Sequence, residues 1–345
     1  MMALKKILQK VNYHSYDDLN EIQVYNISSN SKQIQVGSLF IAISGNTFDG
    51  NQFIEEAIKN GACAIISSTK NKTYPVPYIE VENSRKAMSK ISFNFYKKMN
   101  SQMNIVGITG TNGKTSICQI ISHILNECNK ANCTIGTLGI TNKYGILKTN
   151  FTTPESNHIH HYLNTMARNN IDNAIIEVSS HALDLNRVDD IEFNIGIFSN
   201  LTPEHLDFHK TMDSYFQSKL KLFKNLKSNN SAIINIDDKY SKSIIDKTQS
   251  KIIRYSLKQK TDIFVNKYEC TINGISASLN IFGKEYKINC HLLGEYNLLN
   301  LMASIGACIA LKIPTQRIID SVNKLQSIPG RLEKIKTKSN KIVYI

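Results

Sequence analysis

The chain has 345 residues, 41% of them hydrophobic, which gives room for two or three domains with apolar cores. Its formal net charge is +13, but only six of the 41 basic residues are arginine and no dense basic block occurs, so the charge reads as solvated lysine surface and not as a nucleic-acid footprint. Seven scattered cysteines without metal-ligand spacing, no opening signal segment and no apolar run of spanning length argue against a disulfide scaffold and a membrane protein. A soluble, cytoplasmic, monomeric protein is expected.

In chain order, residues 1–100 read as a first α/β unit. Ser38 to Ile43 reads as a strand, Phe53 to Asn60 as a helix and Ala62 to Ile66 as the next strand. Tyr78 to Val81 follows as a strand, and Ser84 to Met99 as a helix. The run Asn104 to Ile108 then reads as a buried strand that breaks into Gly110-Thr111-Asn112-Gly113-Lys114-Thr115-Ser116. A helix is expected from Ser116 onward, with Ile117, Ile120, Ile121, Ile124 and Leu125 on one apolar face. The glycines let backbone N–H groups converge on an anion, and the helix N-terminus adds partial positive charge. Lys114 would reach terminal phosphates, and the hydroxyl of Thr115 or Ser116 would ligate Mg²⁺, so a nucleoside triphosphate site is predicted.

Strands at 174–178, 194–199 and 231–235, with helices between, predict a parallel sheet whose ligands gather at the carboxyl ends of its strands. Residues 262–290 read as shorter antiparallel strands, and Asn297 to Leu311 as a helix. The expected fold class is therefore α/β, with a small N-terminal α/β domain (1–100) before a phosphate-loop-containing parallel-sheet domain (101–325). A carboxylate at the end of a buried strand needs a partner, which makes Glu177 a candidate Mg²⁺ ligand. Thr202 is expected to cap a helix with Pro203 at its first position, leaving His205 in the first turn, facing the same mouth. In the expected helix Asp213 to Leu226, Tyr215, Lys219, Leu222 and Leu226 share a stripe. Lys219 there reads either as a desolvated amine able to capture CO₂ or as a lysine snorkelling to solvent, and the residues alone favour the second.

The spelling Thr-Gly-Thr-Asn-Gly-Lys-Thr resembles the Mur ligases and the related folylpolyglutamate synthetases, which join an amino acid to a carboxylate through an acyl phosphate at the expense of ATP. The resemblance implies a Glu, a His and a carbamylated Lys around Mg²⁺, placed on Glu177, His205 and Lys219, with Lys114 as the fourth catalytic residue. It places ATP on Gly110 to Ser116, Asn300 and Arg331. The branch of the family that adds the third amino acid of the peptidoglycan stem is the most similar. Its UDP-N-acetylmuramoyl-dipeptide contacts fall on Ser29, Ser31, Asn46, Thr47 and Phe48 in the expected uridine-binding domain, and on Thr152, Thr153, Ser179 and Arg187. The expected partners are that nucleotide substrate, ATP and an incoming amino acid, diaminopimelate in the first instance or lysine, with no nucleic acid and no membrane. Asn235 to Asp238 and Gly330 to Glu333 resemble further family segments. Pro203-Glu204 stands where the family usually has Arg-Asp, and Lys32 where it has arginine. Residues 326–345 are expected to begin a third domain that is cut short. Tripeptide formation by the 345 residues alone is therefore expected to stay below detection, whereas ATP and the UDP-sugar bind; the alternatives are a non-catalytic nucleotide-binding remnant and a ligase of the folylpolyglutamate synthetase type.

Overall fold

The computed structural model describes residues 1–45, 49–70, 73–100, 103–331, 334–336 and 342–344. Asn46, Thr47, Phe48, Leu332 and Glu333 lie outside the described residues. The backbone divides into two units. The first joins Met1–Gln102 to Pro154–Arg168 and Asp184–Ile191, and the second holds Met103–Thr153, Asn169–Leu183 and Glu192–Ile345.

The first unit is built on strands β1 (Tyr13–His14), β2 (Asn26–Ser28), β3 (Ser38–Ile41), β4 (Ala62–Ser67) and β5 (Tyr78–Val81), in the order β1-β5-β4-β3-β2. All neighbours are parallel except the β1–β5 edge pair. Leu39, Phe40, Ile41, Ala64, Ile65 and Ile66 are fully buried, because both faces of this sheet are covered. Leu4, Ile7, Met88 and Ile91 pack on one side, and Ile54 and Ala57 on the other. The middle helix spans only Ile54–Lys59, since Asp49 caps a separate 3₁₀ turn over Gly50–Phe53. Helix Ser84–Asn100 packs against helix Ser156–Arg168. Arg85 pairs with Glu155, Tyr96 Oη meets His161 Nδ1 at 3.4 Å, and Asp190 N donates to Ser89 Oγ at 3.2 Å.

Apart from a short antiparallel pair of Lys334–Lys336 with Ile342–Tyr344, the second unit holds an eleven-stranded sheet. Its strands are β6 (Asn104–Thr109), β7 (Asn132–Gly136), β8 (Gly139–Asn142), β9 (Gly145–Leu147), β10 (Asn173–Glu177), β11 (Ile195–Phe198), β12 (Ser231–Asn235), β13 (Lys251–Ser256), β14 (Ile263–Thr271), β15 (Gly274–Ile281) and β16 (Lys284–Cys290). The order is β9-β8-β7-β10-β6-β11-β12-β13-β14-β15-β16, parallel from β7 to β14 and closed by an antiparallel hairpin at each end. Residues 263–290 are thus not the shorter strands expected. They are the longest in the sheet, because antiparallel partners joined by tight turns extend without a crossover helix. Helices Lys114–Glu127, Glu295–Ala310 and Thr315–Asn323 seat Ile117, Ile121, Leu301, Ile305 and Ile318 in the main core. A Cβ on Gly107 would come within 2.7 Å of Phe193, and one on Gly196 within 3.0 Å of Leu226, so these two glycines let neighbouring groups close on the strands. Helix Met212–Lys224 is capped by Thr211, which accepts from Ser214 N.

Among the described residues no helix is long and apolar enough to cross a membrane. His160, on the helix 156–168, is fully buried with its ring edge-on to Phe93 at 6.2 Å, and burial lowers its pKa to about 4 despite the nearby Asp190. The unfolded chain then binds the proton more tightly than the folded one. Stability is complete above the ordinary imidazole value of 6.5 and falls as pH drops toward about 4. At about 1.4 kcal/mol per unit this amounts to roughly 3 kcal/mol. Urea unfolding between pH 7 and pH 4.5 should show this slope, and His160→Asn should flatten it by close to one proton. An unchanged slope would contradict a buried neutral imidazole.

Candidate functional site

Strand β6 lies between β10 and β11, with Ile108 opposite both Glu177 and Ile197, so three strand ends deliver their loops to one place. The loop after β6 turns through Gly110 at φ +150° and Gly113 at φ +90°, and the helix starts at Lys114, two residues earlier than expected. A Cβ on Gly110 would lie 1.9 Å from Ser199 Oγ, and one on Gly113 2.4 Å from Asn300 Oδ1, so only glycine fits. Asn200 clamps the loop: its carbonyl accepts from Thr111 N at 2.9 Å and its side-chain oxygen from Asn112 N at 2.9 Å. Ser199 Oγ donates to Asn112 O at 2.6 Å. Two loop amides are therefore committed to Asn200. The amides that begin the helix, from Lys114 on, are the ones in position to meet an anion.

Glu177 is 1% exposed and accepts three hydrogen bonds. Thr115 Oγ1 donates at 2.9 Å, Thr137 N at 2.9 Å and Thr137 Oγ1 at 3.1 Å. Neither Thr137 nor the preceding Gly136 stood out in the sequence. A Cβ on Gly136 would lie 2.1 Å from Glu177 Oε1, so this glycine opens the space that the carboxylate fills. The signal was a glycine-threonine pair ending β7, a strand whose buried Asn132 and Thr134 hide it from an apolar-run search.

Two lysines share one acceptor. Lys114 Nζ donates to Gly110 O at 3.0 Å and Thr111 O at 2.8 Å, and Lys219 Nζ donates to the same Gly110 O at 2.9 Å. Lys219 is 1% exposed, with its nitrogen 4.4 Å from the centroid of the Tyr215 ring. It does not snorkel to solvent. Burial, reinforced by Lys114, holds its pKa well below the usual lysine range, and burial also lowers that of Lys114. The expected cap at Thr202 is not formed. Thr202 N donates to Thr111 Oγ1 at 3.0 Å and that hydroxyl donates back to Thr202 O at 3.1 Å, which pins residue 202 to the glycine-rich loop and away from a capping role. The helix is the short Leu206–His209, and His205 occupies its N-cap position at φ +56°. Its ring sits edge-on to His181 at 4.8 Å, and Nε2 lies 3.6 Å from Glu204.

A cavity of about 770 Å³ gathers Thr111 to Ser116, Thr137, Thr152, Glu177, Ser179, Glu204, His205, Asn297, Asn300 and Arg331. Arg331 Nη2 donates to Thr115 Oγ1 at 3.3 Å, and Asn300 Nδ2 to Asn297 Oδ1 at 3.0 Å. Thr153 is held between Glu177 O (2.7 Å) and Ser179 N (3.1 Å). Gly110 and Lys219 border the loop without lining the cavity. Asp237 and Asp238 tie loops together, accepting from Leu257 N at 2.8 Å and Leu201 N at 2.7 Å. Arg187, Ser29 and Ser31 belong to the first unit and are outside this cavity. There, Arg187 pairs with Glu155 at 3.1 Å and Ser31 Oγ donates to Glu56 at 2.6 Å, while Ser29 is half-buried just past β2.

Among the described residues no group of three or more His, Cys, Asp or Glu is placed to hold a metal ion. The Thr115 hydroxyl and the Glu177 carboxylate nevertheless lie together as hard oxygen donors, the ligand type Mg²⁺ prefers. Gly136→Ala should overpack this carboxylate and lower stability by about 1–3 kcal/mol in urea unfolding. Most of that loss should vanish when Glu177→Ala is combined with it. A loss of the same size with and without Glu177 would place the strain elsewhere.

The profile of the Mur ligase middle domain matches residues 108–308, and that of the Mur ligase family catalytic domain matches residues 23–96. The UDP-N-acetylmuramoyl-L-alanyl-D-glutamate–2,6-diaminopimelate ligase of Clostridium tetani is 40% identical over 339 residues, covering 96% of this chain and 69% of that protein. A solved structure of a ligase of the same description superposes with a TM-score of 0.85 at 25% identity, over 98% of this chain and 69% of that one. The ADP complex of the Mycobacterium tuberculosis folylpolyglutamate synthase gives a TM-score of 0.62 at 14% identity over 76% of this chain and 65% of that one. The phosphate loop, the buried strand-end glutamate and the two profile matches together make the chain a member of the Mur ligase family of ATP-dependent, amide-bond-forming ligases.

Proposed function

We propose that the chain binds Mg²⁺-ATP in the second-unit cavity and UDP-N-acetylmuramoyl-L-alanyl-D-glutamate as its acceptor, in the manner of a ligase that adds meso-diaminopimelate. The observation that carries this reading is the meeting of Lys114, the helix start and the triply bonded Glu177 in one cavity. The names of the similar ligases support the choice of acceptor and amine. In this reading Lys114 leaves the carbonyls of Gly110 and Thr111 for the terminal phosphate, and the amides at the helix start hold the remaining oxygens. Asn300 faces adenine and Arg331 the phosphates. Ser31, Asn46, Thr47, Phe48 and Ser29 hold the uridine end of the acceptor, and Thr152, Thr153, Ser179 and Arg187 its peptide end.

The acceptor carboxylate attacks the γ-phosphorus and ADP leaves. The incoming amine then displaces phosphate from the acyl phosphate and loses a proton. Charge neutralisation and alignment are the protein's share of the work. Mg²⁺, held by Thr115, Glu177 and His205, would supply further neutralisation of the phosphate oxygens. Lys219, whose burial favours its uncharged form, is able to add CO₂ with release of a proton, and the resulting carbamate would supply an anionic oxygen ligand to the ion.

Calorimetric titration tests the nucleotide site. Lys114→Ala should weaken Mg²⁺-ATP binding by at least about tenfold, since one charge-assisted contact contributes on the order of 1.5–3 kcal/mol. Equal affinities would remove Lys114 from the phosphates. The acceptor is tested by the same titration with UDP-N-acetylmuramoyl-dipeptide and with a folate. Binding of the UDP-sugar alone is expected, and binding of the folate alone would favour the folylpolyglutamate synthetase reading.

A further inference from the structure

Glu155 stands two residues after Thr153, in the segment that begins the 154–168 stretch of the first unit, and it organises two arginines from two other parts of that unit. Arg85, in the first turn of helix Ser84–Asn100, donates from Nη1 to both carboxylate oxygens at 2.6 and 2.7 Å. Arg187, from the 184–191 segment, places Nη2 3.1 Å from Oε1 of the same group. The three side chains are 20%, 16% and 9% exposed in the order Arg85, Glu155, Arg187, so the contacts are sheltered from the solvent that weakens surface pairs. Arg187 is the most desolvated of them, and burial acts against its charge while Glu155 supports it.

We propose that Glu155, fixed by Arg85, is a positioning residue that aims the Arg187 guanidinium at the acidic peptide end of the UDP-linked acceptor. A long arginine side chain has rotamer entropy to lose on ordering. A carboxylate that already holds one of its nitrogens removes that cost before the acceptor arrives. Arg85 takes both Glu155 oxygens and so fixes the carboxylate itself. Pro154 limits the backbone immediately before Glu155. The inference rests on the proposed role of Arg187 in acceptor binding, and the experiment separates the two.

Acceptor and ATP affinities of the full 345-residue chain are measured by calorimetry for wild type, Arg187→Ala, Glu155→Gln, Arg85→Lys and the double variant Glu155→Gln/Arg187→Ala. Thermal unfolding of each is followed in parallel. Glu155→Gln should weaken UDP-N-acetylmuramoyl-dipeptide binding about tenfold, roughly the loss of one charge-assisted contact, and leave ATP binding unchanged. Arg85→Lys, which keeps the charge but loses the fork, should fall between it and wild type. In the Arg187→Ala background Glu155→Gln should add nothing to the acceptor defect, since it acts through Arg187. A lower melting temperature with unchanged acceptor affinity in Glu155→Gln and in Arg85→Lys would make the cluster a structural staple and overturn the proposal. An undiminished affinity in Arg187→Ala would instead overturn the proposed role of Arg187 itself. Should Glu155→Gln fail to fold, Arg85→Lys carries the same comparison.

Discussion

A carboxylate buried at the end of a β-strand is the constraint around which the second unit is arranged. Glu177 is 1% exposed, and an uncompensated charge at that depth would cost several kcal/mol. Its compensation comes from two directions. The Thr115 hydroxyl brings the first turn of the phosphate-loop helix against it, and the amide and hydroxyl of Thr137 bring the end of β7. These contacts fix the helix start relative to the sheet, and Gly136 is needed because any side chain there would occupy the carboxylate's place.

The loop that Glu177 supports is further held by side chains from the end of β11. Ser199 and Asn200 take up the Thr111 amide, the Asn112 amide and the Asn112 carbonyl, which leaves the loop with little freedom of its own. The buried Lys219 and the half-buried Lys114 then converge on the Gly110 carbonyl. Their mutual repulsion and their burial both favour losing a proton or gaining an anion. A site assembled in this way is preorganised for a polyanionic ligand. The Lys114 amine and the Arg331 guanidinium are already paired to weaker acceptors that phosphate oxygens would replace, and the amides at the helix start face the same cavity.

Much of this was legible in the sequence where the local rule was strong. Gly110, Gly113 and Lys114 at a strand–helix junction, and Glu177 ending an apolar run, each follow from backbone sterics or from the cost of burying charge. Lys219 shows where composition alone points the wrong way. Its stripe suggested snorkelling, but the amine meets a carbonyl from a segment 109 residues away, which no periodicity reveals. The helix start near His205 differs for a similar reason: His205 is its N-cap and not in its first turn, although it lines the same cavity as Glu177. Thr202 is drawn to Thr111 across the sheet, and that long-range pairing overrides the local capping preference of Thr-Pro. Strand β7 escaped notice because its polar Asn132 and Thr134 are buried through hydrogen bonds to Ser122, Asn126 and Thr141.

The central claim is the proposed one, that Lys114 and the Thr115–Glu177 oxygens receive a magnesium-bound triphosphate in this cavity. A crystal structure of the 345-residue chain with Mg²⁺ and a non-hydrolysable ATP analogue tests it most directly. The expected result is Lys114 Nζ withdrawn from the Gly110 and Thr111 carbonyls onto the terminal phosphate, with an ion beside Thr115 and Glu177. A nucleotide bound elsewhere, or Lys114 still seated on its own loop with the analogue present, would contradict it.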